Sequence, residues 1–339
     1  MATTQSGNSQ RKRAPSGRRV VVLAVPPVDE FDLVCPIQVF GAANRLAGKP
    51  VYSVEVVTNG KDVKVQGEGG VLSFVAERTY KALNENFDSL LLVCGLGTRN
   101  ARDPALFAWL RRIAPAMHRL GSVCVGSFLL AEAGLLNGRR ATSHWRFSKE
   151  LARRHPKVKV ESELVWVKDG NIYTSAGISA GIDLALAWVE EDCGAAVAQE
   201  VARELVLFLR RSSGQKQLSV TLSAQASEMK SIQELQVWIT ENVRKKLSVQ
   251  VLADRAAMSV RNFERIFTRE VGRTPSQYVL QARVEAARHR LEQTDGGLEQ
   301  IAAACGFGSA DVMRRAFLRS VGTTAHKYRR QLHSPGSLL

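Results

Sequence analysis

The last hundred residues of the chain contain an internal repeat, and this repeat restricts the possible fold more than any other feature. Displacing the sequence by 50 residues aligns Ser259 with Ser309, and eight of the twenty positions that begin there are identical. The identical pairs are Ser259/Ser309, Arg265/Arg315, Phe267/Phe317, Arg269/Arg319, Val271/Val321, Gly272/Gly322, Thr274/Thr324 and Tyr278/Tyr328. A repeat of this length indicates that one supersecondary element is used twice.

Each copy has the pattern of a helix-turn-helix. A short apolar helix is followed by a brief turn, and Ser259 or Ser309 then fits the N-cap of a second helix. The sequence therefore predicts two helix-turn-helix units, at 249–270 and 298–320, within an all-helical domain over 232–333.

The second helix of each unit has an apolar face and a polar, basic face. Phe263, Ile266 and Phe267 share the apolar face of the first copy, so the opposite face can enter a major groove. Arg and Asn near a helix N-terminus can pair with guanine or adenine edges, and arginines farther along suit phosphates. The predicted DNA-binding residues are Ser259, Arg261, Asn262, Arg265, Arg269 and Arg273 in the first copy, and Ser309, Asp311, Arg314, Arg315 and Arg319 in the second. The alternative is a helical bundle whose arginines only face solvent, which two copies in register disfavour.

Residues 252–291 and 301–330 resemble the AraC/XylS family of bacterial regulators. The resemblance implies that a long helix, from 275 to about 291, joins the two units and presents them to successive major grooves of promoter DNA, about 34 Å apart. The chain departs from the family at Ala325, where the second copy usually has the proline that Pro275 supplies in the first.

The charge of the chain is concentrated at its two ends. The formal net charge is +15, of which +5 falls in residues 1–19 and +7 in residues 232–339. Such an excess indicates a polyanionic partner. Residues 1–18 are predicted to be a disordered basic arm, 211–231 a linker, and 334–339 a disordered tail.

The composition excludes several classes of protein. No apolar run is long enough to span a membrane, and the N-terminal residues are charged and polar instead of the apolar core of a signal peptide, so we expect a cytoplasmic protein. The five cysteines form no CxxC pair and no cluster with histidines, which predicts free thiols, no metal and no cofactor.

Residues 19–210 alternate β-branched runs with helical ones, and this order predicts an α/β domain with a parallel sheet flanked by helices. The predicted strands are 19–25, 52–57, 89–94, 121–125 and 164–167. The predicted helices are 36–47, 104–119, 127–136 and 178–191.

A candidate site lies where the predicted strand 121–125 runs into a helix. Cys124 stands at this junction with Gly126 beside it, the arrangement of a nucleophile elbow. A thiol at a helix N-terminus is expected to favour the thiolate, and His144 could serve as its base. The alternative is that Cys124 is an inert buried residue and that His144 is structural.

Residues 19–192 resemble the DJ-1/PfpI group of the class I glutamine amidotransferase-like superfamily. The resemblance implies that Cys124 is the elbow cysteine, that His144 is its partner, and that Asp32 lies near the thiol. It also implies that the loop at Gly95 donates backbone amides to a bound oxyanion. Leu96 replaces a second glycine of that loop, and Val125 replaces a small polar residue.

The combination of the two domains resembles a regulator subfamily that includes carnitine- and glycine-betaine-responsive activators. It implies that the old catalytic pocket senses a ligand, an amine or amino-acid derivative, and that the protein is a homodimer acting with RNA polymerase. The expected ligand-binding residues are Asp32, Gly95, Leu96, Cys124, Val125 and His144, with no catalytic role. The alternatives are a thiol-dependent hydrolase or hydratase, or a redox sensor, that uses Cys124.

Overall fold

The structure is a computed structural model that describes residues 17–83, 86–208, 210–217 and 229–333. Residues 1–16 of the predicted arm, 218–228 of the predicted linker and the predicted tail 334–339 lie outside the described residues. The chain divides into two compact units, the first made of most residues up to 210 and the second containing the helical carboxyl-terminal region.

The first unit is built on a seven-stranded sheet with the order β10-β11-β7-β6-β1-β2-β5. Its strands are β1 (Arg18–Val25), β2 (Tyr52–Thr58), β5 (Arg78–Thr79), β6 (Ser89–Cys94), β7 (Arg119–Val123), β10 (Trp166–Asp169) and β11 (Ile172–Ser175). Two small sheets pair β3 (Lys64–Gln66) with β4 (Ser73–Val75) and β8 (Arg140–Ala141) with β9 (Lys159–Val160). Strands β2, β1, β6, β7 and β11 pair in parallel, which confirms the predicted fold class. The central strands are apolar from Val20 to Val25 in β1 and from Leu90 to Cys94 in β6, because both faces of the sheet are buried there.

Helices flank this sheet. They are α1 (Glu30–Leu46), α2 (Pro104–Ile113), α3 (Gly126–Glu132), α4 (Ser148–Arg154), α5 (Ser179–Cys193) and α6 (Ala195–Glu204). Short 3-10 turns lie at Tyr80–Ala82, Leu96–Asn100 and Ala114–Ala116. Helix α1 begins six residues before its predicted start because the Asp29 carboxylate accepts the Phe31 and Asp32 amides as an N-cap.

Other predicted boundaries in this unit are also wrong, among them the end of the helix predicted at 127–136, which stops at Glu132. The helix predicted at 104–119 ends at Ile113, because Pro115 has no amide with which to continue it. The strand predicted at 121–125 ends at Val123. The strand predicted at 164–167 lies at Trp166–Asp169, next in the sheet to β11, which was not predicted. The turn at Gly170, where φ is 62°, was the signal for that missed pair.

The second unit contains seven helices among the residues that the structure describes from 229 onward. They are α7 (Lys230–Glu241), α8 (Val249–Arg255), α9 (Val260–Val271), α10 (Pro275–Gln293), α11 (Leu298–Ala304), α12 (Ala310–Val321) and α13 (Ala325–His333). Helix α10 links two separate cores. Tyr278, Val279 and Ala282 enter the first core, whereas Val284 and Leu291 enter the second.

The repeat is visible in the packing of these two cores. The ring of Phe267 meets Tyr278 at 5.5 Å, and Phe317 meets Tyr328 at 5.4 Å, both edge to face. The structural repeat is displaced by 49 residues up to the turn and by 50 residues after it. The extra residue is Gly308 in the second turn.

Candidate functional site

Cys124 occupies a strained elbow at the carboxyl edge of the sheet. Strand β7 ends at Val123, Cys124 has a φ of 56°, and helix α3 begins at Gly126. The Cys124 amide donates to the Ser175 carbonyl at 3.0 Å, and its own carbonyl accepts from the Ser143 hydroxyl at 3.1 Å. These bonds hold a left-handed conformation that a non-glycine residue rarely adopts. The predicted elbow geometry is therefore present.

The carboxyl group of Asp32 lies beside this elbow, inside the protein. Helix α1 supplies Asp32, whose Oδ1 accepts the Ile178 amide at 2.6 Å, and the Cys124 thiol hydrogen-bonds to the same carboxyl group. Oδ2 has no hydrogen-bond partner among the residues that the structure describes. Burial, reinforced by the negative charge of Asp29, raises the pKa of Asp32 to about 7. Asp32 can therefore hold or release a proton near neutral pH.

The prediction of a favoured thiolate is wrong. Burial and the neighbouring Asp32 carboxylate both raise the pKa of the Cys124 thiol. Helix α3 has only seven residues, and its dipole does not offset the cost of burying a negative charge next to another. Burial also raises the pKa of the adjacent Cys94 thiol to about 12. Both sulfurs are protonated at neutral pH.

His144 lies in the loop after β8, and its side chain contributes to the site around Cys124. Its Nδ1 accepts the Arg146 amide at 3.2 Å, and burial followed by the charge of Arg146 lowers the pKa of the imidazole. Gly177, at a φ of 138°, lies against both side chains: a Cβ there would lie 3.2 Å from Cys124 Sγ and 3.4 Å from His144 Cδ2. No hydrogen bond within the described ranges joins this thiol to the imidazole.

The loop at Gly95 is already engaged by the protein itself. The Gly95 amide donates to the Pro27 carbonyl at 2.7 Å. The amides of Leu96 and Gly97 donate to the Glu68 carboxylate at 3.0 and 3.3 Å. The amides expected to bind an oxyanion are thus occupied by an internal carboxylate. Sequence reasoning missed Glu68, which lies between β3 and β4 in a Gly-Glu-Gly-Gly turn far from the elbow in sequence.

Apolar side chains next in sequence to the site residues remain exposed. Phe31, Trp145 and Ile178 are 63%, 50% and 44% exposed, and they adjoin Asp32, His144 and Gly177 along the chain. Val125 is fully buried instead, and its amide hydrogen-bonds to the Cys124 sulfur. The site therefore combines a buried carboxyl group, two neutral polar groups and apolar neighbours.

The two recognition helices α9 and α12 show one pattern of burial. Phe263 and Phe267 are buried in α9, as Met313 and Phe317 are in α12. The predicted contact residues that are exposed are Ser259, Arg261, Asn262, Arg265, Arg269, Asp311, Arg314, Arg315 and Arg319. Both helices end at a left-handed glycine, Gly272 and Gly322.

Polar contacts organise these two helices. Ser259 and Ser309 cap them by accepting the amides of Asn262 and Val312, at 3.4 and 3.3 Å. Arg265 donates to Asn262 Oδ1 at 3.0 Å, whereas Arg314 is paired with Asp311 at 3.0 Å. The half-buried Arg273 donates to Gln281, and Arg269 to Glu270. One helix thus offers an Arg-Asn pair and the other an ion pair.

Comparison with known proteins decides the identity. Residues 18–191 match the DJ-1/PfpI family, and residues 252–331 match a helix-turn-helix domain. The chain belongs to the DJ-1/PfpI family. With its AraC-type second domain it is a DNA-binding transcriptional regulator, as its relatives are named.

Two relatives of this regulator come from Pseudomonas aeruginosa. The HTH-type transcriptional regulator CdhR is 35% identical over 231 residues, 68% of either chain. The HTH-type transcriptional regulator GbdR is 26% identical over 329 residues, 95% of this chain and 86% of its own. A solved AraC family transcriptional regulator from Pseudomonas putida shares the fold of the first domain, with a TM-score of 0.51 and 23% identity over 56% of this chain and 99% of its own.

An enzyme is also among the relatives of this regulator. The isonitrile hydratase of Pseudomonas putida is 32% identical over 187 residues, 54% of this chain and 75% of its own. Within the described part of the regulator, no group of three or more His, Cys, Asp or Glu side chains is arranged to hold a metal ion. None of the described helices is long and apolar enough to cross a membrane.

Proposed function

We propose that the regulator reads adjacent major grooves of promoter DNA with helices α9 and α12, under the control of a small effector bound at the Cys124 site. The observation that carries this proposal is the matched pair of helices, each with an aromatic or apolar face in a core and arginines outside. Arg265 and Arg315 occupy equivalent outward positions and are assigned to base edges. Arg269, Arg273 and Arg319 are assigned to phosphates.

The Cys124 site suits an effector with a positively charged amine. Asp32 offers a buried oxygen without a partner among the described residues, and the charges of Asp29 and Glu68 act on the same carboxyl group. His144 is held neutral by burial and adds a polar contact. A small amine or amino-acid derivative satisfies these groups.

Several features support binding at this site rather than catalysis. The thiol is protonated, it lacks a hydrogen bond to His144 in the described part of the chain, and the loop amides at Leu96 and Gly97 already bind Glu68. A nucleophilic cysteine needs a thiolate, and the burial of Cys124 beside the Asp32 carboxylate opposes its formation. We therefore assign Cys124, His144 and Asp32 to recognition of the effector.

The isonitrile hydratase relative and the strained elbow favour a second candidate, a thiol-dependent hydratase or hydrolase fused to the DNA-binding domain. A redox sensor that uses Cys124 is a third. Cys124→Ala separates them from effector sensing. The variant should keep effector-dependent transcription but need a higher effector concentration, because Cys124 is one of the recognition groups. An enzyme would instead lose turnover, and a redox sensor would lose its response to peroxide.

The regulator is further proposed to act in the cytoplasm as a homodimer that recruits RNA polymerase as an activator. The test begins with a thermal-shift screen of small amines and amino-acid derivatives on the full chain. Compounds that stabilise it are then added to binding assays with genomic promoter fragments. A full chain that binds none of these fragments above its affinity for random DNA contradicts the proposed function.

A further inference from the structure

The two halves of the DNA-binding unit meet where the loop after α7 approaches the turn between α11 and α12. The loop after α7 belongs to the first half, where Val243 packs against the first core. The turn between α11 and α12 belongs to the second half, where Phe307 lies in the second core. Arg283 of the linking helix α10 lies between Ala282, which enters the first core, and Val284, which enters the second.

Arg283 of α10 hydrogen-bonds to the loop after α7 and lies against the turn between α11 and α12. Its Nε donates to the Val243 carbonyl at 3.1 Å, and its Nη2 donates to the Lys245 carbonyl at 3.0 Å. The planar guanidinium therefore fixes the direction of the loop relative to α10, which a flexible ammonium could not do with one point charge. Gly306 completes the contact from the second half. We call Val243, Lys245, Arg283 and Gly306 the Arg283 junction.

Comparison of the two turns shows why glycine stands at 306. Ala257 and Gly306 hold the same place: the next residue in each turn donates to the carbonyl five residues back, Met258 to Ala253 and Phe307 to Ala302. Both are left-handed, with φ values of 54° and 76°. The first turn thus tolerates a Cβ in this conformation, so the conformation alone does not require glycine in the second.

Glycine is required at position 306 because the Val243 carbonyl of the first half approaches it closely. A Cβ on Gly306 would lie 2.1 Å from the Val243 carbonyl oxygen and 3.0 Å from Arg283 Nε. Backbone oxygen cannot yield as the end of a flexible side chain can, so the loop would have to move. The missing side chain at 306 therefore belongs to the contact between the two halves.

From these contacts we propose that the Arg283 junction sets the separation and rotation of the two recognition helices, and so the spacing of the two half-sites in the operator. This proposal rests on the proposed reading of adjacent grooves by α9 and α12. One inserted base pair moves one half-site by about 3.4 Å and by about a tenth of a turn relative to the other. A rigid pair of helices cannot contact both half-sites after that change and therefore loses affinity, whereas a loosely coupled pair can adjust to the new spacing.

The test uses duplexes selected from a randomised pool by the full wild-type chain. One base pair is then inserted or deleted between the two half-sites, and affinities are measured by fluorescence anisotropy. The wild type should lose about tenfold or more in affinity for each altered spacing. Arg283→Ala should bind the altered duplexes within about threefold of the original. Arg283→Lys, which keeps the charge, should fall between them.

Matched controls separate the junction from general effects on charge or folding. Arg244→Ala removes the same charge at an exposed position of the loop that Arg283 contacts, and it should keep the wild-type spacing preference. Gly306→Ala should relax the preference as Arg283→Ala does. Gly308→Ala, where a Cβ meets nothing within 4 Å, should not.

The outcomes distinguish the two proposals. If the wild type selects no duplex, groove reading by α9 and α12 is wrong and the spacing rule falls with it. If the wild type prefers one spacing and a folded Arg283→Ala variant shows the same preference, the junction does not set the spacing. Should Arg283→Ala not fold, an unchanged spacing preference in Arg283→Lys and Gly306→Ala overturns the proposal.

Discussion

The carboxyl group of Asp32 is fully buried beside the Cys124 thiol, whereas that of Asp311 stands exposed on the second recognition helix. The first has a pKa raised to about 7 by burial, and the second forms an ion pair with Arg314 at the surface. A negative charge on Asp32 is costly, so its carboxyl group is close to being protonated at neutral pH. The charges of Asp311 and Arg314 are hydrated at the surface, where they can interact with DNA.

The two regions differ in whether the protein itself occupies the groups that would bind a partner. The Cys124 site is satisfied from within, since Glu68 occupies the loop amides and Ile178 occupies one oxygen of Asp32. An effector must compete with those contacts or use the oxygen that they leave. The arginines of the recognition helices face solvent, and the contacts of Arg265 with Asn262 and of Arg314 with Asp311 are exposed and weak, so DNA can replace them.

The largest effect is expected on stability, from replacing the buried Asp32. Asp32→Asn removes a carboxyl group whose folded pKa of about 7 lies above its ordinary value of 3.8. The contribution of Asp32 to stability is complete below about pH 4 and is lost as the pH rises through 7. The variant should match the wild type near pH 4 and exceed it above pH 7 by up to roughly 4 kcal/mol in free energy of unfolding.

Urea unfolding of the full chain between pH 4 and 8, followed by tryptophan fluorescence, measures this difference. A stability change that stays constant over that range would show that burial does not shift the titration of Asp32. The same variant should also bind an amine effector more weakly, since it has lost the negative charge. Unchanged effector affinity would remove Asp32 from the proposed site.

The next effect concerns the exposed arginines. Arg265→Ala and Arg315→Ala should each cost about 1–3 kcal/mol in DNA binding, because each removes a paired contact to one base. The loss should be confined to one half-site in each variant, as measured by anisotropy with duplexes altered in either half. Arg153→Ala, an exposed arginine of the first domain, is the control and should bind as the wild type does. Equal binding by all three variants contradicts the groove assignment.

The sequence predicted the parts of the molecule that local patterns encode. The repeat predicted both helix-turn-helix units, because apolar residues spaced three and four apart must share a buried face. The strand-to-helix junction at Cys124 followed from a buried β-run meeting Gly126. The resemblance to DJ-1/PfpI proteins brought Asp32 and His144 to the same site, where the structure also places them.

Contacts between distant segments escaped prediction. Glu68 accepts a hydrogen bond from the amide of Leu96, 28 residues away, and no sequence periodicity connects the two. The raised pKa of Cys124 depends on burial and on Asp32, neither of which the local helix pattern reveals. The Arg283 junction likewise joins a loop to a helix 40 residues away. Long-range packing decides such contacts, and the sequence of either segment alone does not specify them.

The smallest effect is expected when the same Asp-to-Asn change is made at the exposed Asp311. Asp311→Asn should change the free energy of unfolding by less than about 0.5 kcal/mol, because surface ion pairs contribute little. It should instead strengthen DNA binding by about two- to fivefold at low salt, since Arg314 loses its internal partner and a negative charge leaves the DNA-facing surface. The gain should shrink as salt is raised, because screening weakens exposed charges. A gain that persists at high salt would point to a direct base contact by residue 311, and weaker binding would mean that Asp311 itself accepts from a base.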